Sequence, residues 1–167
     1  RNETSEWRHI WTWVAPVRSN DSHLGPAITA LAISESTLMV GIPRYDVVEA
    51  QMNRQIGAVF VFQRNEETGE FTTDPQVLLS GAATQDGRFG HSIALSGALA
   101  VIGEPGGFDA TSNEAPGSAW IFTRDEVGTW GHVAQLLAND PLRLNGGAQE
   151  SLHPFGFGES VTTNGDW

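Results

Sequence analysis

The chain repeats itself. One stretch opens LAISESTLMVGIP at Leu31 and closes GAVFVF at Phe62; another opens FGHSIALSGALAVIGEP at Phe89 and closes GSAWIF at Phe122. Gly41 and Pro43 return 62 residues later as Gly103 and Pro105, and Gly57 and Phe62 return 60 residues later as Gly117 and Phe122. A period of that size is one supersecondary unit copied along the chain. Such a unit cannot bury its apolar face alone, so neighbouring copies must cover each other.

Each copy reads as four short strands. In the second, Phe89–Leu95 alternates, Ser96-Gly97 is a tight turn, and Ala98–Gly103 is an almost continuous apolar run suited to burial on both faces. Pro105-Gly106-Gly107 is expected to end that strand, and Phe108–Pro116 to form a polar loop. Gly117–Arg124 is a third strand, Asp125–Thr129 a turn, and Trp130–Ala138 a fourth strand. The first copy follows the same plan, with strands over Ile28–Ser34, Thr37–Gly41 and Gly57–Arg64 and a fourth within Phe71–Ser80.

The ends carry fragments of the same unit. Trp7–Ala15 aligns with Trp130–Ala138, so the chain opens on a fourth strand. Phe157-Gly158-Glu159-Ser160-Val161 aligns with Phe89-Gly90-His91-Ser92-Ile93, and Asn164-Gly165 is a strong hairpin signal. The expected division is 1–16, the last strand of a preceding blade; 17–82, a first complete blade; 83–141, a second; and 142–167, an inter-blade loop and the first strand of a following blade. The fold class is all-β: a partial β-propeller of two four-stranded antiparallel blades with one flanking strand at each end. Two blades cannot close a ring that takes roughly four to eight. Further blades are expected from a longer chain or from other copies.

Composition narrows the functional classes. The net charge is −11, from nine basic residues, all Arg, against 20 acidic ones. That balance opposes nucleic-acid binding, which needs cationic surface for phosphates. Cysteine is absent, which removes disulfides, thiol catalysis and thiolate-held zinc. No apolar run is long enough for a transmembrane helix. The start at Arg1, with neither Met nor a basic-then-apolar leader, reads as a processed or trimmed chain.

The ordered motif set resembles the FG-GAP repeat family, the repeats of integrin-alpha-type β-propellers. It comprises Phe89-Gly90-His91-Ser92-Ile93, Val101-Ile102-Gly103-Glu104-Pro105, Gly117–Phe122 and Trp130, with Phe157–Val161 as a third occurrence. The first copy departs at Ala27-Ile28 but keeps Gly41-Ile42-Pro43. The likeness covers nearly the whole chain. It implies blades around an axis and a non-catalytic adhesion or protein-interaction module outside the cell. The family often holds calcium in the hairpin between strands one and two. Here those turns are Ser34-Glu35-Ser36, Ser96-Gly97 and Asn164-Gly165, too short to wrap a cation with six or more ligands. The chain looks like the calcium-free subtype, and no metal or cofactor is expected.

A search for catalytic chemistry finds none. His9, His23, His91, His132 and His153 form no zinc-hydrolase spacing, and no Gly-x-Ser-x-Gly elbow occurs. Glu66-Glu67 and Asp125-Glu126 fall in hairpins where solvated acids are ordinary. Asp109, Asn113 and Glu114 lie in the loop of the second copy. Trp7, Trp11, Trp13, Trp120 and Trp130 read as blade-packing residues, with a sugar-stacking platform as the alternative. Asn2 and Asn20 stand in glycosylation sequons. Two further functions stay open: a carbohydrate-binding propeller using Phe108–Pro116 and Asp140–Pro154, and an accessory domain of a larger extracellular enzyme. A protein or glycan ligand is expected at the loop rim.

Overall fold

The computed structural model describes residues 9–16, 28–46, 56–81, 86–107, 115–137 and 156–165. The chain is all-β. β1 (Ala30–Ser34), β2 (Thr37–Ile42), β3 (Ala58–Gln63) and β4 (Gln76–Leu78) form one four-stranded sheet in chain order. β5 (Ser92–Ser96), β6 (Leu99–Gly107), β7 (Ala115–Arg124) and β8 (Trp130–Leu137) form a second in the same order. Every pairing between these strands is antiparallel, a single isolated parallel bridge joins Gly57 to Phe89, neither sheet closes into a barrel, and no helix occurs among the described residues. This is the arrangement of a partial propeller.

Register makes the two sheets copies. Ile42 pairs with Ala58 as Glu104 pairs with Ser118; Val40 pairs with Phe60 as Ile102 pairs with Trp120. Strand alternation then sends Met39, Val59 and Val61 to one face of the first sheet and Val40, Ala58, Phe60 and Phe62 to the other. The first face packs against Phe89, Ala100, Ile102, Trp120, Phe122 and Trp130 of the second sheet, forming one core. The opposite face is covered by Trp11 and Trp13. Between the sheets, β5 lies beside β1 and also meets β2.

Three expectations are corrected. Pro105 does not end its strand: β6 runs on to Gly107, opposite a β7 that begins at Ala115 rather than Gly117. A proline costs a strand only its N–H, and the ladder resumes at Gly106 with Pro116 opposite. Phe89 makes only an isolated parallel bridge to Gly57 and does not start the strand, because Gly90 turns the chain at φ +87° and β5 begins only at Ser92. The flanking segments join no ladder. Residues 9–16 and 156–165 have no strand paired to them among the described residues, and a strand exists only by its neighbour's hydrogen bonds. Aromatic side chains hold the first segment; the Gly158 backbone on Gly103, a Ser92 hydroxyl bond to the Gly158 carbonyl and Glu159 paired with His91 and Arg88 hold the second.

Candidate functional site

The two sheets meet through glycines. The Gly90 carbonyl sits where a Cβ on Gly41 would fall, and the Gly158 carbonyl sits in the same place over Gly103. Both overlying glycines are left-handed, at φ +87° and +92°. An L-residue at any of these positions would collide with backbone or strain it. Phe89 N–H donates to the Ile56 carbonyl at 3.0 Å, and Phe89 itself is fully buried. The Phe-Gly turn of one copy is thus a plug seated on the Gly-x-Pro strand of the copy before. The joint is built once between the sheets and begun again by residues 156–165.

Two polar links span the first joint. Arg124 Nη1 on β7 donates to Thr37 Oγ1 on β2 at 3.0 Å, and Gln63 Nε2 lies 3.2 Å from the same hydroxyl. The Gln76 amide clasps the Trp130 backbone, donating to its carbonyl at 2.8 Å and accepting from its N–H at 3.0 Å. A side chain here imitates a strand neighbour. Glu104 on β6 lies buried in the same joint, 3% exposed, and both of its bonds stay within the second sheet. Its Oε2 accepts from Trp120 Nε1 at 2.5 Å and from Ser118 Oγ at 3.1 Å. Burial pushes its carboxyl above the ordinary range, while the bonds from Trp120 and Ser118 pull the other way.

Repeat equivalence exposes what is special here. Glu104, Ser118 and Trp120 stand where the first sheet has Ile42, Ala58 and Phe60. An apolar trio has become a hydrogen-bonded one. Thr37 and Gln63 correspond to Leu99 and Thr123, so the Arg124 link is not offered again by the second sheet. Strand periodicity marks all these positions as inward-facing. The matched change at three equivalent sites is the signal the sequence carries for it.

At the outer rim the joint opens into a groove of about 350 Å³. Val61 and Val127 supply apolar wall; Gln63, Thr72, Asp74, Gln76 and Thr129 supply amide, hydroxyl and carboxylate groups. Near the plug, His91 Nε2 pairs with Glu159 Oε2 at 2.7 Å, and Arg88 Nη2 lies 3.5 Å from Glu159 Oε1. Arg88 reaches this pair from a left-handed conformation, φ 62°. Such backbone costs about 1 kcal/mol or more and marks a position held by its surroundings.

The other candidate residues have local roles. Trp11 and Trp13 stack on Phe60, Phe62 and Phe71 with centroids 5.0–5.5 Å apart. Trp120 and Trp130 are buried in the joint. These four rings pack within the protein, Trp11 and Trp13 half-buried and Trp120 and Trp130 buried. His132 covers Trp120 and Phe122, whereas His9 bonds Thr12 at 2.7 Å. Glu66, Glu67 and Glu126 are exposed; Asp125 accepts from the amides of Val127 and Thr129 and shapes its own turn. No cluster of three or more His, Asp or Glu suited to a metal occurs among the described residues. Asn2, Trp7, Asn20, His23, Asp109, Asn113, Glu114, His153 and the loop 140–154 lie outside the described residues.

No protein-family model and no curated protein matches this chain.

Proposed function

We propose that the chain is a non-catalytic interaction module of FG-GAP-type propeller blades, displayed at the cell surface or outside the cell. The carrying observation is the joint itself: the same glycine carbonyl over Gly-x-Pro occurs at Gly41–Gly90, with Phe89 buried, and again at Gly103–Gly158, where Phe157 is 39% exposed. A scaffold closed by backbone contact leaves its rim free to vary. The rim groove, with Asp74 exposed in a chain of net charge −11, favours a partner offering basic and amide groups.

Further blades complete the scaffold in this reading. Leu31 and Ile33 on β1 are each 66% exposed, although their counterparts on β5, Ile93 and Leu95, pack into the joint. Leu136 on β8 is also exposed, while Leu78, its counterpart, is buried. Both surfaces face outward where another blade would lie, from the same longer protein or another copy. No helix among the described residues is long and apolar enough to cross a membrane.

The test uses the purified chain on parallel arrays of extracellular protein domains and of glycans. Saturable, salt-weakened binding to a protein, lost in Asp74→Arg, supports the reading. Binding confined to glycans would replace it with the carbohydrate-binding reading. The accessory-domain reading is tested by the full-length protein: a catalytic domain on the same chain would move this module into that class.

A further inference from the structure

We propose that Glu104 is a protonated latch between the two sheets, which tightens their joint in acid and loosens it as the carboxyl ionises.

The geometry carries this. Glu104 lies on β6 in the buried space where β7 and the end of β4 meet. Its Oε2 is well used, by Trp120 and Ser118. Its Oε1 is buried with no hydrogen-bond partner, and so is Ser80 Oγ from the first sheet. A charged carboxylate would leave one bare oxygen in an apolar joint. A neutral one carries a proton on that oxygen, directed toward the Ser80 hydroxyl it lacks. Burying a carboxyl is tolerable when neutral and costly when ionised without a partner.

Among the described residues, the groups that face the carboxyl supply no counter-charge. From β7 the carboxyl is faced by Ser118 and Trp120, and from the end of β4 by Ser80; none of these is charged. The nearest titratable ring on β8, His132, lies against Trp120 with centroids 4.9 Å apart. Arg88, His91 and Glu159 pair among themselves. The first copy shows the alternative solution at this site, Ile42 with Ala58 and Phe60, which carries no titratable group. A carboxyl here adds a dependence on pH that packing alone does not require.

The direction follows from linkage. A carboxyl that titrates higher when folded than when unfolded binds more protons in the folded state. Its stabilising contribution is full below the unfolded pKa and is lost as pH rises through the folded one. The neutral joint holds Trp120 against the first sheet; the ionised joint favours states that admit water to Oε1.

The decisive measurement is a ¹³C titration of the Glu104 side-chain carboxyl by NMR, assigned with Glu104→Gln. A midpoint above the ordinary glutamate range, with exchange of the Trp120 indole N–H and Phe89 amide rising with pH faster than the tenfold per unit of base catalysis, supports the latch. In Glu104→Gln that excess should vanish, and the melting temperature should fall less between pH 5 and pH 8 than in the parent. A carboxyl titrating in the ordinary range would overturn the proposal. So would an unchanged pH profile in the variant. The titration uses the parent chain, so it decides even if the variant folds poorly.

Discussion

The carbonyl of Gly90 rests against the α-carbon of Gly41, and no side chain fits between them. Two sheets from successive copies therefore touch backbone to backbone. The contact fixes how closely β1 and β5 approach, and it sets the depth to which Phe89 enters the core.

Gly41→Ala should test that contact. The added methyl meets a carbonyl that cannot rotate away, so the sheets must separate or the turn must distort. We expect a loss of about 1–3 kcal/mol in denaturant unfolding, the range of overpacked cores. Gly131→Ala is the control, since nothing lies within 4 Å of its added Cβ; it should change stability by less than about 0.5 kcal/mol. Equal losses in the two variants would remove the special standing of the joint.

Gln76 offers a second test. Its amide both donates to and accepts from the Trp130 backbone, tying β4 to β8 across the joint. Gln76→Leu keeps the bulk and strands both backbone groups. The expected cost is about 1–3 kcal/mol. Gln76→Glu keeps the acceptor, so it should cost less at the N–H, but it repels the carbonyl. The order parent, then Glu, then Leu in urea midpoints is the outcome that fits.

Arg124 is placed to bridge the sheets more weakly. Its ion pair with Glu35 is long, 3.6 Å, and Glu35 is 67% exposed, so screening leaves it little worth. The bond to Thr37, which is fully buried, matters more. A double-mutant cycle of Arg124→Met and Thr37→Val should give a coupling of about 1 kcal/mol that survives 1 M salt. The same cycle with Glu35→Ala should give a coupling that disappears there.

Trp13 is the lid on the outer face of the first sheet. It stacks on Phe60 and Phe62, with centroids 5.1 and 5.0 Å apart, while residues 9–16 form no ladder. Truncation to Ala should cost about 2–4 kcal/mol if the segment is held by these rings. Hydrogen exchange should then rise first in β2 and β3, not in β6 and β7. Uniform loss of protection across both sheets would show that the lid is not a local element.

Much of the architecture was legible from residue order. Gly-x-Pro at 41–43 and 103–105, the turns at 35–36 and 97–98, and the apolar runs between them mark strands by local rules. Those rules misjudged Pro105, because a proline breaks a ladder only where its missing N–H was needed. They placed Phe89 and Phe157 in strands, because an aromatic beside β-branched residues looks extended until the glycine after it turns the chain back. The rim groove was not legible at all: Val61 and Val127 are 66 positions apart and share no motif.

The order of residues alone determined the repeat, the two groups of four strands and their antiparallel sequence, because those depend on spacing, turn chemistry and side-chain alternation within one copy. Only the tertiary structure decided which copy-specific residues meet. Glu104 finds Trp120 and Ser80, Arg124 finds Thr37, and Gln76 finds the Trp130 backbone, although Ser80 and Thr37 belong to the other copy. Equivalence between copies says that two positions are alike. It does not say what lies across the joint, because that depends on a packing distance set by glycines in both sheets at once.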